Sequence, residues 1–276
     1  MPVIDSHVHF WKYTRQEYSW IDSSMKSLQK NYLPEDLQLT LKRNNVDGCI
    51  AVQALASAVE TRFLAELANT HQMVRGVVGW ADLKSADLRR QLDELSTYPL
   101  IKGIRHIAQS EPDDFFYDEK VRAGISLLAE YGFTYDILIF PRQIPAAVDL
   151  VKAFPEQIFI VDHCAKPEIR HRELENWRRG ITDLALYPNV SCKLSGLITE
   201  AKWKEWSPAD FYPYLDVVFQ SFGTNRLMFG SDWPVMLLSG IYVQWKSLLE
   251  KYMENHLPEE REAVFGENAV KIFGLQ

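Results

Sequence analysis

The sequence predicts an α/β protein, a (β/α)8 barrel forming a single domain over residues 1–276. Eight apolar, β-branched-rich runs alternate with segments of helical period along the 276 residues. No proline-rich, glycine-rich or low-complexity stretch divides the chain, and no internal repeat is visible. The structural alternative, a doubly wound open sheet, uses a glycine-rich first turn for phosphate, and none follows the first strand here.

In order, strands are predicted at Val3–His9, Cys49–Gln53, Gly76–Trp80, Ile101–Arg105, Thr134–Phe140, Ile158–His163, Val190–Leu194 and Leu227–Ser231. Continuous apolar runs of this kind are what a parallel sheet buried on both faces demands. The connection after the first strand, roughly Phe10 to Tyr32, is long and carries Trp11, Tyr13, Tyr18, Trp20 and Tyr32. Loops of that length serve either as functional lids or, with so many aromatics, as a seal on a core edge. The first helix starts at Pro34, with Glu35 and Asp36 in its acidic first turn. Phe63, Leu64, Leu67 and Ala68 line one side of the second helix, and Val121, Ile125 and Leu128 one side of the fourth. Gly132 after Tyr131 reads as a C-cap, and Ser207 before Pro208 as an N-cap followed by an N1 proline. Near the C-terminus, Trp245, Leu248, Leu249 and Tyr252 fall at i, i+3, i+4 and i+7 on one helix face.

Bulk properties narrow the function. The composition is that of a soluble globular protein, with 47% hydrophobic and 24% charged residues. A net charge of −7 and a pI near 5.6 argue against a nucleic-acid surface. The basic run Arg170-His171-Arg172 with Arg178-Arg179 is diluted by Glu168, Glu173 and Glu175 and reads as a solvated helix face. No stretch has the length and apolarity of a membrane span, and no signal peptide is evident. Cys49, Cys164 and Cys192 are few, odd in number and lie in apolar runs, as buried thiols of a reducing cytoplasm do. Cys164 is the one to watch, because it follows His163 at a strand end.

Barrel active sites form at the C-terminal ends of the strands. The predicted ends carry His7 and His9, Trp80 and Asp82, Arg105 and His106, Tyr135 and Asp136, Asp162 and His163, Lys193 before Ser195-Gly196, and Ser231-Asp232-Trp233-Pro234. His7 and His9, two apart on a strand, share a face and converge on one point. Each residue has a bland reading: Asp162 facing outward, His106 a satisfied rim group, Asp82 a helix cap. As a set they point to a hydrolytic site. Asp232 suits a general base for water, while His7, His9, His163, Arg105 and Lys193 suit polarising a carbonyl and holding an oxyanion. No G-x-S-x-G nucleophile signature is present, so water attack on an acyl carbon fits better than a covalent acyl-enzyme.

The set resembles the amidohydrolase superfamily, and within it the branch of sugar and aromatic-acid lactonases. Matching strings run from end to end: Ile4–Trp11, Val77–Leu83, Lys102–His106, Pro141-Arg142-Gln143, Val161-Asp162-His163 with Lys166-Pro167, Cys192–Leu197 and Gly230–Val235. The likeness is nearest to the L-fucono- and L-rhamnono-lactonase group. It implies Asp232 as base, His7, His9 and His163 around a carbonyl oxygen or a metal, and Arg105, Tyr135 and Lys193 as substrate-binding or oxyanion-supporting groups. Trp11, Trp80 and Trp233 would stack on a sugar ring. The chain departs from metal-dependent members in one way. They supply a carboxylated Lys or Glu on strand four or a His on strand five, where this chain has Arg105 and Tyr135-Asp136. The usual binuclear site is therefore missing, leaving one divalent metal, zinc by ligand type, on His7, His9, His163 and Asp232, or none.

The expected activity is hydrolysis of a sugar-derived lactone by a cytoplasmic enzyme with a small-molecule substrate, compatible with homo-oligomers. A carboxylated lactone clamped by Arg105, His106 and Lys193, another metal-dependent amidohydrolase reaction, and a non-catalytic sugar-binding barrel are the alternatives.

Overall fold

The computed structural model describes residues 1–275. Eight parallel strands follow one another around the sheet in chain order: β1 (Ile4–Val8), β2 (Gly48–Val52), β3 (Val74–Gly79), β4 (Ile101–His106), β5 (Thr134–Ile137), β6 (Phe159–Val161), β7 (Val190–Leu194) and β8 (Leu227–Phe229). The sheet closes where β8 returns to β1. The His9 amide donates to the Trp233 carbonyl at 2.7 Å and the Asp232 amide to the His7 carbonyl at 2.9 Å. All eight strands stand where the sequence predicts. Those of β5, β6 and β8 end earlier; after β6 and β8 the chain leaves the ladder at Asp162-His163 and Ser231-Asp232, polar residues of the rim.

The described residues form ten α-helices: α1 (Pro34–Arg43), α2 (Ala58–Thr70), α3 (Leu88–Ser96), α4 (Glu119–Leu128), α5 (Ile144–Ala153), α6 (Glu175–Ala185), the single turn α7 (Leu197–Glu200), α8 (Tyr212–Phe222), α9 (Tyr242–His256) and α10 (Asn268–Ile272). Their apolar stripes face the sheet. On α9, Trp245, Leu248, Leu249 and Tyr252 are all buried, as the spacing predicts. Two caps act as read: Gly132 adopts φ +69°, and Pro34 opens α1 with Leu33 before it.

The core lies in two shells. A large one fills the space between sheet and helices. A small one occupies the lower barrel interior, where Ile4, Ile50, Val52, Val78, Ile160 and Met228 meet Ala269 and Phe273 of the C-terminal segment. The barrel is thus plugged with apolar side chains at the end opposite the predicted site.

The long first connection is folded down rather than free. Trp11 and Tyr32 exchange backbone hydrogen bonds at 2.8 and 2.9 Å, and the Trp11 indole donates to the Lys30 carbonyl. Tyr18, Trp20 and Tyr32 surround the Trp11 ring at 5.5–5.9 Å between centroids. Among the described residues no helix is long and apolar enough to cross a membrane.

Candidate active site

β1 carries a bulge. Between Asp5 and Val8 it spends three residues where β2 spends two, from Cys49 to Ala51. Ile4 therefore joins the lower interior core while His7, an odd number of residues on, also points inward. Asp5 fixes the bulge by accepting the amides of His7 (3.2 Å) and Ser231 (2.8 Å) and the Tyr242 hydroxyl (2.8 Å). His7 and His9 then meet as predicted, their Nε2 atoms 3.2 Å apart. Asp232 Oδ1 completes the cluster at 3.3 Å from His9 Nε2, 3.9 Å from His7 Nε2 and 3.8 Å from His163 Nε2.

The partners of each ring assign its free nitrogen. His9 Nδ1 lies 2.7 Å from the Val52 carbonyl, which only accepts, so Nδ1 donates and Nε2 keeps its lone pair in the neutral ring. His7 Nδ1 faces the Asp162 carboxylate at 3.3 Å and the Lys193 ammonium at 3.4 Å, while its Nε2 faces the Arg105 guanidinium, a pure donor, at 3.3 Å. In the tautomer that donates from Nδ1 to Asp162, the Nε2 atom of His7 is an acceptor too. His163 is held at Nδ1 by the Ser195 hydroxyl at 2.8 Å, a group that donates or accepts, so either of its tautomers fits.

Beneath this cluster lies a buried ionic layer drawn from four strands. Asp162 receives Arg105 at 2.8 Å and Lys193 at 3.0 Å, and Lys193 also pairs closely with Asp136. β4 is a neighbour of neither β6 nor β7 in the sheet and meets them here through the barrel interior. Gln53 holds Arg105 from the other side, accepting through its side-chain and main-chain oxygens. Phe273 lies below Lys193, its ring centre 5.7 Å from Nζ.

Burial pushes the His7 imidazole well below its ordinary 6.5 and His163 down to about 4, so both rings are neutral at pH 7. Burial also raises the Asp162 and Asp232 carboxyls, but the groups facing them outweigh it. Lys193, His7 and Arg105 hold Asp162 well below the usual carboxylate range. His163, His9 and Lys166 hold Asp232 below it. Asp136 is raised by burial to about 6 against the pull of Lys193.

The rim is strained. His163, Cys164, Ala165 and Lys166 follow one another in left-handed geometry, with φ of 50–54°, and Asp232 has φ +61°. Each such residue costs about 1–2 kcal/mol relative to right-handed backbone. Tertiary contacts sustain the turn: the Trp177 indole donates to the Cys164 carbonyl at 2.7 Å, and the Cys164 thiol to the Lys193 carbonyl at 3.4 Å. Cys164 is thereby a buried structural thiol. Gly196, at φ +67°, allows the His163 ring to pack against it; a Cβ there would lie 2.6 Å from the imidazole.

A cavity of about 380 Å³ opens above these residues, in the size range of small-ligand sites. His9, Arg105, His163 and Asp232 line its floor; Trp20, His106, Gln109, Glu111 and Lys166 are among its walls. Several expected substrate-binding residues stand elsewhere. Tyr135 is fully buried on the outer face of β5, edge-on to Phe116 and Phe159, because strand alternation sends Asp136 inward in its place. Lys193 lies wholly within the ionic layer. Trp11 sits under its loop, and Trp233 is wedged between Phe10 and Tyr32 at 6.0 and 5.1 Å, so neither offers a face to a sugar. Trp80 is half-buried and donates to His106 Nδ1 at 3.3 Å. Arg105 reaches the floor, though its donors are committed to Asp162, Gln53 and His7. Asp162 faces inward, not outward. Of the walls, Trp20 was legible only as one aromatic of the long first connection and Lys166 only within a matching string, while Gln109 and Glu111 carried no chemical signal in the sequence beyond their place in a loop after a strand end.

The donor set fits one metal ion. Among the described residues two groups of three ligating side chains converge, His7/His9/Asp232 and His7/Asp162/His163. In the second, Asp162 is already neutralised by Arg105 and Lys193. The first presents two imidazole lone pairs and a carboxylate at separations of 3.2, 3.3 and 3.9 Å. Tetrahedral ligands about 2.0–2.1 Å from zinc lie about 3.3–3.4 Å apart. The Val52 carbonyl behind His9 and Asp162 behind His7 are the outer partners such ligands require.

The family model for amidohydrolases matches residues 4–275. An L-fucono-1,5-lactonase of Burkholderia multivorans is 37% identical, with 99% of this chain and 96% of that protein aligned. Its counterpart from Burkholderia ambifaria is 35% identical, over 99% and 95%. A Burkholderia multivorans amidohydrolase crystallised with bound zinc superposes with a TM-score of 0.96 at 36% identity, covering the whole of both chains.

Proposed function

The chain belongs to the amidohydrolase family, and from that premise we propose that it opens a sugar-derived lactone of the L-fucono- or L-rhamnonolactone type to the aldonic acid. One observation carries the chemistry: the cavity floor sets an ionised Asp232 carboxylate among three imidazoles, two of them held neutral by burial. In the proposed reaction Asp232 takes a proton from a water as that water attacks the lactone carbonyl carbon. His163, in the tautomer that places its proton on Nε2, donates to the developing oxyanion. When the tetrahedral intermediate collapses, the ring C–O bond breaks and the proton on Asp232 passes to the departing ring oxygen.

A divalent cation, when bound, would be held by His7, His9 and Asp232 and would polarise the carbonyl and acidify water. The tautomers favour that role for the histidine pair. With both Nε2 atoms as acceptors, the pair presents lone pairs, which suit a cation better than an oxyanion. Bacterial L-fucono-1,5-lactonases at 35–37% identity support the substrate class.

A carboxylated lactone fits less well. The expected clamps Arg105 and Lys193 are spent on Asp162 and Asp136, and Lys166 has Glu200 3.6 Å away. The cavity lining adds Glu17, Glu111 and Asp232, which repel a second carboxylate.

The test is hydrolysis of neutral aldonolactones and dicarboxylated lactones, followed by pH indicator with and without a chelator. Turnover of the neutral set, reduced by chelation and restored by zinc, is expected. Preference for the dicarboxylated set, or no turnover of any lactone, sinks the assignment.

A further inference from the structure

One wall of the cavity is polar, rigid and unused by the proposed chemistry. His106 ends β4 and is fixed on three sides. Its ring stacks on Phe115 at 4.8 Å with an 11° interplanar angle. The Trp80 indole, which can only donate, points at Nδ1 from 3.3 Å. Nδ1 is therefore an acceptor, and in the neutral ring the proton is on Nε2, 2.9 Å from Glu111 Oε1. That bond orients the Glu111 carboxylate, whose second oxygen has no protein partner among the described residues. Two residues earlier, Gln109 Oε1 is buried without a hydrogen-bond partner. Both side chains line the cavity above Asp232.

A wall of this kind has a definite appetite. Gln109 Oε1, buried and unpartnered, bears the cost of an unmet acceptor, about 1–3 kcal/mol, while the partly exposed Glu111 carboxylate exchanges water for any donor that a ligand brings. A hydroxyl is the neutral group that donates. A carboxylate, which only accepts, is repelled by Glu111. We propose that the Trp80–His106–Glu111 relay, with Gln109, is the subsite that binds substrate hydroxyls and so selects a polyhydroxylated, uncharged ring. This rests on the lactonase reading and names the residues that give it specificity. His106 and Trp80 act through Glu111 as positioning residues.

The inference is tested by comparing wild type with Glu111→Ala, Glu111→Gln and Gln109→Leu on L-fucono-1,5-lactone and on δ-valerolactone, the same ring without hydroxyls. For Glu111→Ala, KM for the hydroxylated lactone rises at least tenfold with kcat within threefold, and the δ-valerolactone constants stay within twofold. Glu111→Gln retains an acceptor for His106 and recovers part of the loss. Equal losses on both lactones, or no change on either, overturn the proposal. Calorimetry with L-fucose, a hydroxylated ring with no ester, reads the subsite without turnover. Tenfold weaker L-fucose binding by Glu111→Ala, beside a wild type that hydrolyses no lactone, would leave the subsite standing and reject the lactonase reading. L-fucose binding identical in wild type and Glu111→Ala rejects the subsite.

Discussion

His9 binds the Val52 carbonyl through Nδ1, so only its Nε2 lone pair is left for the cavity, and His7 is assigned in the same way by Asp162 and Arg105. The residue type supplied an imidazole; its partners decided that it accepts. Asp232 is the complementary case, a carboxylate kept ionised although buried. Asp232→Asn keeps the shape and removes the base, and kcat is expected to fall by about 10²–10⁴ with the far-UV spectrum unchanged. Near-normal turnover in a lactone assay would remove Asp232 from the mechanism. Gly196→Ala probes the other side of the site. The new methyl meets the His163 ring in a left-handed backbone position, so a loss of about 1–3 kcal/mol in stability and a fall in kcat are both expected. Urea unfolding and steady-state kinetics on that variant give the two numbers; a silent substitution would mean the ring has room to move.

At the scale of elements, α2 ties two loops to the cavity. Its Glu60 accepts the amides of Ala54 and Leu55 at 2.9 and 2.8 Å through one oxygen and the Tyr18 hydroxyl at 3.1 Å through the other. Ala54 and Leu55 line the cavity, and Tyr18 belongs to the first connection beside Glu17 and Trp20. Burial raises the Glu60 carboxyl from 4.5 to about 7, only partly offset by those bonds. Between these two values the folded protein keeps a proton that the unfolded chain has released. The stabilisation is complete below about pH 4.5 and is lost as pH rises through about 7, at most about 3 kcal/mol in all. Glu60→Gln retains an acceptor for the amides and does not titrate. Its unfolding free energy is therefore expected to decline less between pH 5 and 7 than that of wild type, leaving the slopes of Asp5 and Asp136, both raised by burial to about 6, and the opposite slope of His7 and His163, whose lowered values favour the folded state as pH rises. Parallel pH profiles for the two proteins would contradict the assignment.

Across the whole molecule, the ionic layer joins five strands through Gln53, Arg105, Asp136, Asp162 and Lys193, with the apolar plug below and the cavity above. Two cations and two carboxylates balance in charge, so removing one member strands its partners. Lys193→Met is expected to cost about 3–5 kcal/mol in urea unfolding. Lys193→Met combined with Asp136→Leu removes a matched pair and should cost less than the single change, a non-additivity that a double-mutant cycle measures. Additive losses would show that the layer is not one unit.

The alternation of eight apolar runs with amphipathic helices determined the barrel, because burying both faces of a parallel sheet leaves few other solutions. The rim position of His7, His9, His163 and Asp232 was equally legible, since strand ends in this fold share one mouth. Tertiary structure decided the rest. Tyr135 and Asp136 are adjacent in sequence, and only the register of β5 against β4, with Asp136 beside Arg105, determines which of them faces inward. Trp11 and Trp233 read as binding aromatics until the folded first connection claims them for packing. Arg105 and Lys193 read as free cations until Asp162, turned inward by β6, neutralises both. Periodicity constrains each side chain against its own element, which suffices for the fold. A site is made of contacts between elements far apart in the chain, and those fix charge, tautomer and access together.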